Sequence, residues 1–281
     1  MFDTHCHIHF KSYDADREEV YLRTAEKGVK MITVGTQTTT SRTGIDFAEA
    51  HEGVWCTVGL HPSHTHHMTI HEEGGEDFQT REEAWDSNYY RALAASSKKV
   101  VAIGEVGLDF YRLPENGKEE IMKRQEEQFR LALDLADELS LPAVLHIRDA
   151  YSDAFRILDE YIRQGRLPRR GVAHCFTGTM EEARGFYERG FFVSFGGIIT
   201  FKDKKRPEAL TPLQDVVASV PLEWTLLETD APYLTPEPHR GERNEPWMVQ
   251  YVAETVARLK NLPVGEVEEE TDKNTSKLFN I

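Results

Sequence analysis

The chain has 281 residues, 40% of them hydrophobic, and a formal net charge of -15 at pH 7. This length suits one large α/β barrel, and we predict a single domain over residues 1–281. No apolar run approaches the roughly 20 residues of a membrane-spanning helix, and the acidic balance does not by itself favour nucleic-acid binding, which normally requires a basic face.

The negative charge is concentrated in two segments. Residues 72–86 carry a net charge of -6 and residues 266–272 carry -5, which leaves about -4 for the rest of the chain. Two bound divalent cations would add four local positive charges, so the global charge does not decide the substrate.

The cysteines and the start of the chain predict a cytoplasmic protein. Cys6, Cys56 and Cys175 are odd in number and have no CxxC spacing, which argues against a disulfide framework. The sequence opens directly into a predicted strand, without a positively charged leader and an apolar targeting core.

Eight short runs rich in β-branched or apolar residues alternate with amphipathic helical stretches. The predicted strands are Phe2 to His7, Met31 to Val34, Val54 to Gly59, Val100 to Val106, Ala143 to His146, Gly171 to His174, Phe191 to Phe195 and Thr225 to Glu228. Among the helices, Lys118 to Leu139 shows an apolar stripe formed by Ile121, Phe129, Leu131, Leu135 and Leu139. This alternation predicts a (β/α)8 TIM barrel, in which active-site groups gather at the carboxyl ends of the strands.

Six potential metal ligands fall at those predicted strand ends. They are His5, His7, Glu105, His146, His174 and Asp230. His5 and His7 point to the same face of their strand because side chains alternate, while Cys6 points to the other face. A lone strand histidine is more often a hydrogen-bonded structural residue, but six potential ligands at one barrel end predict a binuclear metal site.

The ligand types leave the metal open. Imidazole and carboxylate without thiolate suit zinc, manganese, iron or cobalt, and the carboxylates keep magnesium possible.

A polar, acidic insertion, about residues 64–90, separates the third and fourth predicted strands. Its part from Thr80 to Ser96 can be helical, and we interpret His64, His66, His67 and His71 as incidental histidines of a solvated loop. The basic run from Lys202 to Arg206 follows the seventh strand; it is a solvated charge run or a guide for a polyanion.

Five ordered motifs resemble the TatD-type metal-dependent deoxyribonucleases of the amidohydrolase-like barrel superfamily. They are Asp3-Thr4-His5-Cys6-His7, Gly59-Leu60-His61-Pro62, Gly104-Glu105-Val106-Gly107-Leu108-Asp109-Phe110-Tyr111, His174-Cys175-Phe176-Thr177-Gly178 and Glu228-Thr229-Asp230-Ala231-Pro232-Tyr233-Leu234. A sixth segment, from Arg240 to Pro246, resembles the loop after the eighth strand. The resemblance implies that the six ligands bind two divalent ions, with Glu105 as the bridging carboxylate in place of a carbamylated lysine.

The sequence departs from the family pattern after His61-Pro62. Many members have a second histidine directly after the proline, whereas here Ser63 intervenes before His64. The acidic insertion is also expanded, so the substrate entrance is expected to differ.

Several residues are predicted to act beside the metals. Asp230 can bind one ion and accept the proton of the attacking water, as the general base. His61, Arg148 and Arg243 are predicted to contact substrate phosphates, although a structural role is open for His61 and pairing with acids is open for the two arginines. Asp109 could orient a metal-binding side chain without binding the metal itself.

The aromatic residues near the motifs carry no readable recognition signature. Phe110, Tyr111, Phe176 and Tyr233 could stack on bases, but buried or loop-packing roles are the more common use of such residues. Cys175 is predicted to be a poor nucleophile.

Three functions remain open from the residues. The first is a metal-dependent phosphodiester hydrolase, a DNA 3'-5' exonuclease that uses a two-metal-activated hydroxide on single-stranded DNA or a 3' end, with magnesium, manganese or zinc and no obligate protein partner. The second is a binuclear hydrolase of a small ester, lactone or amide, because metal chemistry does not choose phosphorus over carbon. The third is a binding module that has kept the barrel without turnover.

Overall fold

The computed structural model describes residues 1–66, 69–70, 78–80, 82–111, 113–202 and 209–281. Backbone contacts group the chain into two compact units, one of residues 1–32 with 174–281 and the other of residues 33–173. The single domain over residues 1–281 stays a prediction. None of the helices in these ranges is long and apolar enough to cross a membrane.

Eight strands form one sheet and two short strands form a separate pair. The large sheet contains, in spatial order, β1 (Phe2–Cys6), β2 (Lys30–Val34), β3 (Val54–Val58), β6 (Val100–Asp109), β7 (Ala143–Arg148), β8 (Gly171–Ala173), β9 (Phe192–Phe195) and β10 (Thr225–Leu227), and the antiparallel pair is β4 (Thr69–Ile70) with β5 (Phe78–Gln79). Each of the eight predicted strands is therefore confirmed within a few residues.

Helices alternate with these strands. In the described ranges they are α1 (Arg17–Glu26), α2 (Thr38–Ala50), α3 (Ser87–Ser96), α4 (Lys118–Leu139), α5 (Tyr151–Arg163), α6 (Met180–Glu188), α7 (Pro212–Ser219), α8 (Val249–Lys260) and α9 (Val264–Phe279). Parallel strands require such crossover connections, which return the chain to the same end of the sheet.

The first and last strands of the sheet lie next to each other. Cys6 and Ala231 form a parallel bridge, the backbone N–H of His7 donates to the Ala231 oxygen at 2.7 Å, and that of Asp230 donates to the His5 oxygen at 2.8 Å. The eight parallel strands thus form the predicted (β/α)8 barrel, and the fold class is confirmed.

Strand β6 has an irregularity that the sequence did not predict. Ile103 pairs with Ala143, but Val106 pairs with Leu145, so one extra residue lies in β6 around Glu105. The predicted position of Glu105 at a strand end is therefore wrong, since β6 continues to Asp109. A bulge interrupts the alternation of side chains and re-aims the one it carries.

Gly107 permits close contact between β6 and β7. Its φ is +152°, and a Cβ atom there would lie 2.0 Å from the carbonyl oxygen of His146. Only glycine is compatible with both this backbone conformation and this distance. The second glycine of the Gly-Glu-Val-Gly segment therefore sets the spacing of the two strands that carry Glu105 and His146.

Helix α4 has the predicted bounds but not the full predicted stripe. Phe129 and Leu135 are buried, whereas Leu131 is 39% exposed. At about 100° per residue, a side chain two positions after Phe129 points away from its face. Ala132 and Ala136, which are buried, continue that face instead.

Among the described residues of the acidic insertion, α-helix is found only in the last part. Helix α3 begins at Ser87, where the Asp86 side chain accepts hydrogen bonds from the backbone N–H groups of Asn88 and Tyr89 at 2.9 and 3.1 Å. The prediction of helix from Thr80 is therefore wrong at its start, because the N-cap aspartate sets the boundary. His67, His71 and, in the acidic stretch, residues 72–77 and 81 lie outside the described residues, as do residues 203–206 of the basic run.

Candidate metal centres

Four predicted ligands converge in the unit formed by residues 1–32 and 174–281. We call His5, His7, His174 and Asp230 the β1 cluster. One oxygen of Asp230 lies 3.4 Å from His7 Nε2 and 3.7 Å from His5 Nε2. The rings of His5 and His174 stack with centroids 3.9 Å apart, and His5, His174 and Asp230 each offer a donor atom within 4.8 Å of the others.

The donor set of the β1 cluster fits a divalent cation. Its three histidines are buried, whereas the Asp230 side chain is 15% exposed. Three adjacent buried imidazoles cannot all be cationic without strong repulsion, and a neutral ring can direct its nitrogen lone pair at a shared cation.

The pKa of Asp230 is lowered. Burial opposes ionisation of this carboxyl, but the hydrogen bond to His7 and the positive charge that His5 and His174 can carry outweigh it. Asp230 is therefore an anion at neutral pH and is ready to bind a cation.

A buried carboxylate that the sequence interpretation missed supports this cluster. Asp3 accepts hydrogen bonds from the backbone N–H of His5 at 3.2 Å, and from the N–H and hydroxyl of Thr229 at 2.9 and 2.5 Å. It thereby ties the strand of the histidines to the loop of Asp230. The available signal was its place two residues before His5, on the same strand face.

Glu228 lies beside His174, and the sequence interpretation also missed it. It is fully buried, and one of its oxygens accepts from the Cys175 backbone N–H at 2.5 Å and lies 3.4 Å from His174 Nδ1. Its other oxygen has no hydrogen-bond partner among the described residues. A carboxylate beside one nitrogen of a histidine orients the ring and directs the other nitrogen toward a metal.

The unit of residues 33–173 contains a second group of ligands, His61, Glu105 and His146, which we call the β6 cluster. One oxygen of Glu105 lies 2.9 Å from His146 Nδ1 and 3.3 Å from His61 Nε2. The two imidazole rings are 4.2 Å apart, and the three residues offer donor atoms within 4.8 Å of one another. His61, predicted as a substrate contact, is thus placed among the possible ligands.

His146 is held between two carboxylates. Its Nε2 lies 3.1 Å from an oxygen of Asp109, while Nδ1 faces Glu105. Burial disfavours protonation, but the hydrogen bonds to Asp109 and Glu105 outweigh it and raise the pKa of His146 to about 9. Burial likewise opposes ionisation of Asp109, yet His146 lowers the pKa of this carboxyl to about 2. A cation that binds His146 must therefore displace a proton.

Ser63, the departure from the family pattern, holds His61. The Ser63 backbone N–H donates to His61 Nδ1 at 3.1 Å, and the Ser63 hydroxyl lies 2.7 Å from the same nitrogen. Nδ1 is thus an acceptor, and Nε2 carries the ring proton toward Glu105. Burial lowers the pKa of His61, against the opposing charge of Glu105.

Two histidines of the insertion, His64 and His66, are buried. His64 and His66 are 6% and 5% exposed, so the prediction of a solvated loop is wrong for these two. Side chains from elsewhere bond to the backbone around them: Thr80 donates to the His66 oxygen at 2.7 Å, and Arg124 donates to the Thr65 oxygen at 3.1 Å.

The two arginines predicted to contact phosphate have different surroundings. Arg243 donates to both oxygens of Asp16, at 2.9 and 2.6 Å, and lies 3.7 Å from Glu245. Arg148 is exposed, and its guanidinium lies 3.7 Å from the ring centre of Tyr111. The alternative of pairing with acids is therefore what the structure shows for Arg243.

Comparison with known proteins shows the family to which the chain belongs. Residues 2–280 match the family model of TatD related DNases. The chain belongs to the TatD family. It is a metal-dependent hydrolase of that family, with histidine, glutamate and aspartate groups positioned to bind metal.

Known relatives match this chain over almost its whole length. It is 39% identical to the uncharacterized metal-dependent hydrolase YabD of Bacillus subtilis, over all of this chain and 99% of that protein. It is 36% identical to the 3'-5' ssDNA/RNA exonuclease TatD of Cronobacter sakazakii, over 99% of this chain and 97% of that protein.

A solved structure supports the fold. The crystal structure of YjjV, a TatD homologue from Escherichia coli K12, superposes with a TM-score of 0.82 at 30% identity, over all of this chain and 98% of that one.

Proposed function

We propose that this TatD-family hydrolase cleaves phosphodiester bonds of single-stranded nucleic acid from the 3' end, with two divalent ions. The observation that carries the proposal is that imidazole nitrogen and carboxylate oxygen donors lie within 4.8 Å of one another in the β6 cluster and, in the β1 cluster, among His5, His174 and Asp230. Magnesium, manganese and zinc are the ions we expect to support activity. The bridging of two ions by Glu105 stays part of the proposal.

Divalent ions at these clusters would lower the pKa of water and neutralise charge on the phosphate. Asp230 accepts the proton of the attacking water. The exposed fraction of its side chain is 15%, against 4% for Glu105, so of these two acids Asp230 is the one that water reaches more easily. A carboxylate with a lowered pKa is a sufficient base when the water itself has been made more acidic.

The remaining buried acids keep the ligands in place. Asp3 fixes the backbone of His5 and the Thr229 side chain next to Asp230. Glu228 and Asp109 lie beside His174 and His146 respectively. Such preorganisation means that binding of ions and substrate needs little rearrangement of the protein.

The substrate and the direction of digestion rest on the resemblance to named relatives. The Cronobacter protein bears the name of a 3'-5' exonuclease of single-stranded DNA and RNA. Arg148 is the arginine that we assign to the substrate, and we assign Arg243 a structural role because Asp16 engages its guanidinium. The three cysteines form no disulfide, which agrees with a cytoplasmic location, and that location stays a prediction.

The test is degradation of a 5'-labelled single-stranded DNA oligonucleotide by the purified protein with magnesium, manganese, zinc or cobalt. We expect a ladder that shortens from the 3' end and is lost in Asp230→Asn. Asp46→Asn, an exposed aspartate of α2, is the matched control and should keep full activity. Absence of cleavage with every metal would overturn the proposal and favour small esters, lactones or amides as substrates.

A further inference from the structure

Tyr111 and Arg148 form an exposed pair near the carboxyl ends of β6 and β7. Tyr111 is 48% exposed, although it is a large aromatic residue. The guanidinium of Arg148 lies 3.7 Å from the centre of its ring, a stacking distance. The guanidinium of Arg148 thus covers one face of the Tyr111 ring. Much of the remaining surface of the pair contacts solvent.

The fold fixes this pair relative to the β6 cluster. Asp109 and Arg148 are partners in the register of β6 with β7, and the backbone N–H of Phe110 donates to the Arg148 oxygen at 2.9 Å. One oxygen of Asp109 accepts from the Tyr111 backbone N–H at 3.1 Å, and its other oxygen lies 3.1 Å from His146 Nε2. A single carboxylate therefore orients a predicted metal ligand and anchors the tyrosine.

Arg148 has different surroundings from several other arginines of the protein. Arg91, Arg156 and Arg166 each pair with carboxylates at 2.6 to 2.8 Å. By contrast, no carboxylate within the described ranges lies at ion-pair distance from Arg148. In a chain with net charge -15, an exposed arginine that stacks on tyrosine beside a ligand cluster is well placed for an anionic, aromatic ligand.

A similar pair elsewhere lacks this connection. Arg240 lies 3.8 Å from the ring centre of Phe201. No described contact connects that pair to a residue of either ligand cluster. Of the other aromatic residues of the motifs, Phe176 is buried, with 2% of its surface exposed.

We propose that Tyr111 and Arg148 are a stacking platform for one nucleobase of a single-stranded substrate. This proposal rests on the proposed function and specifies which side chains contact the substrate next to the β6 cluster. Stacking of a base on an aromatic side chain or a guanidinium tolerates any base, because every base has a π face. Loss of such a contact typically weakens binding about tenfold or more.

The test combines a protein variant with a substrate variant. Each oligothymidylate of a series carries one abasic position near its 3' end. Its binding to the non-cleaving Asp230→Asn protein is measured by fluorescence anisotropy, with and without the further substitution Tyr111→Leu. We expect one abasic position to weaken binding about tenfold in Asp230→Asn and to have no further effect once Tyr111 is replaced. Tyr111→Phe should retain the penalty, and Tyr89→Leu, at a comparably exposed tyrosine of α3, should leave it unchanged.

The two proposals fail in different ways. Equal abasic penalties with and without Tyr111 would overturn the platform, even if the wild-type protein degrades DNA. Weakening by Arg148→Gln alone, with no dependence on the base, would also overturn it and leave Arg148 as a phosphate contact. No binding and no cleavage of any oligonucleotide would overturn the proposed function as well. Because Tyr111 is half exposed, Tyr111→Leu is expected to keep the thermal midpoint of its parent.

Discussion

The two ligand clusters differ in the number of carboxylates that face a single histidine. The β1 cluster brings three imidazoles to one carboxylate, Asp230. In the β6 cluster His146 lies between two carboxylates, Glu105 and Asp109, which keep it protonated at neutral pH. The β1 cluster is therefore prepared for a cation, whereas the β6 cluster already holds a positive charge that a cation must replace.

The largest expected effect is that of Asp230. We expect Asp230→Asn to lower kcat by about 10²–10⁴-fold, the typical contribution of a positioned proton acceptor. Single-turnover digestion of labelled DNA measures the loss, beside Asp46→Asn. Wild-type rates in Asp230→Asn would remove this residue from the reaction.

The β6 cluster should bind its cation in a strongly pH-dependent way. Since the pKa of His146 is raised to about 9, one proton leaves when the ion binds below that pH. The affinity should therefore rise about tenfold per pH unit between about pH 7 and 9 and level off above that range. Titration calorimetry in buffers of different ionisation enthalpy measures the released proton.

His146→Ala is the check on that assignment. It should abolish the pH-dependent binding event and leave the event at the β1 cluster. If both events survive with the same pH dependence, the contrast between the clusters is wrong.

Glu228 offers a way to weaken the β1 cluster without removing a ligand. Glu228→Gln keeps an oxygen for the Cys175 N–H but removes the charge that lies 3.4 Å from His174. We expect the affinity of the β1 cluster for its ion to fall about 10–100-fold. Glu254→Gln, an exposed glutamate of α8, is the matched control. Equal affinities in the two variants would leave Glu228 with a purely structural role.

The smallest expected effect concerns the ion-free protein. The folded-state pKa of His146 is raised from 6.5 to about 9, so its contribution to stability is complete below pH 6.5 and is lost as the pH rises through about 9. The folded-state pKa of Asp109 is lowered from 3.8 to about 2. The contribution of Asp109 to stability is therefore complete above pH 3.8 and is lost as the pH falls through about 2. In a chelator, the urea midpoint should therefore decline from pH 6.5 to 9.

Substitution of His146 should flatten this decline. His146→Gln has no charge to lose over that range, whereas His51→Gln, at a half-buried histidine near the end of α2, should keep the wild-type slope. A wild-type slope in His146→Gln would mean that another group titrates.

Much of this protein could be predicted from local sequence pattern. The apolar runs and amphipathic stretches predicted the eight strands and the bounds of α4, because burial of one face imposes a period that a single segment already shows. The ligand types at the predicted strand ends also predicted groups of metal ligands, because parallel strands bring their carboxyl ends together.

Only the tertiary structure decided the direction of the critical side chains. The bulge at Glu105, the two carboxylates around His146 and the stacking of Arg148 on Tyr111 depend on the register between β6 and β7. The burial of His64 likewise depends on what packs against it. Register and packing join residues that are distant in the chain, so a short segment determines which chemical groups are present but not which of them meet.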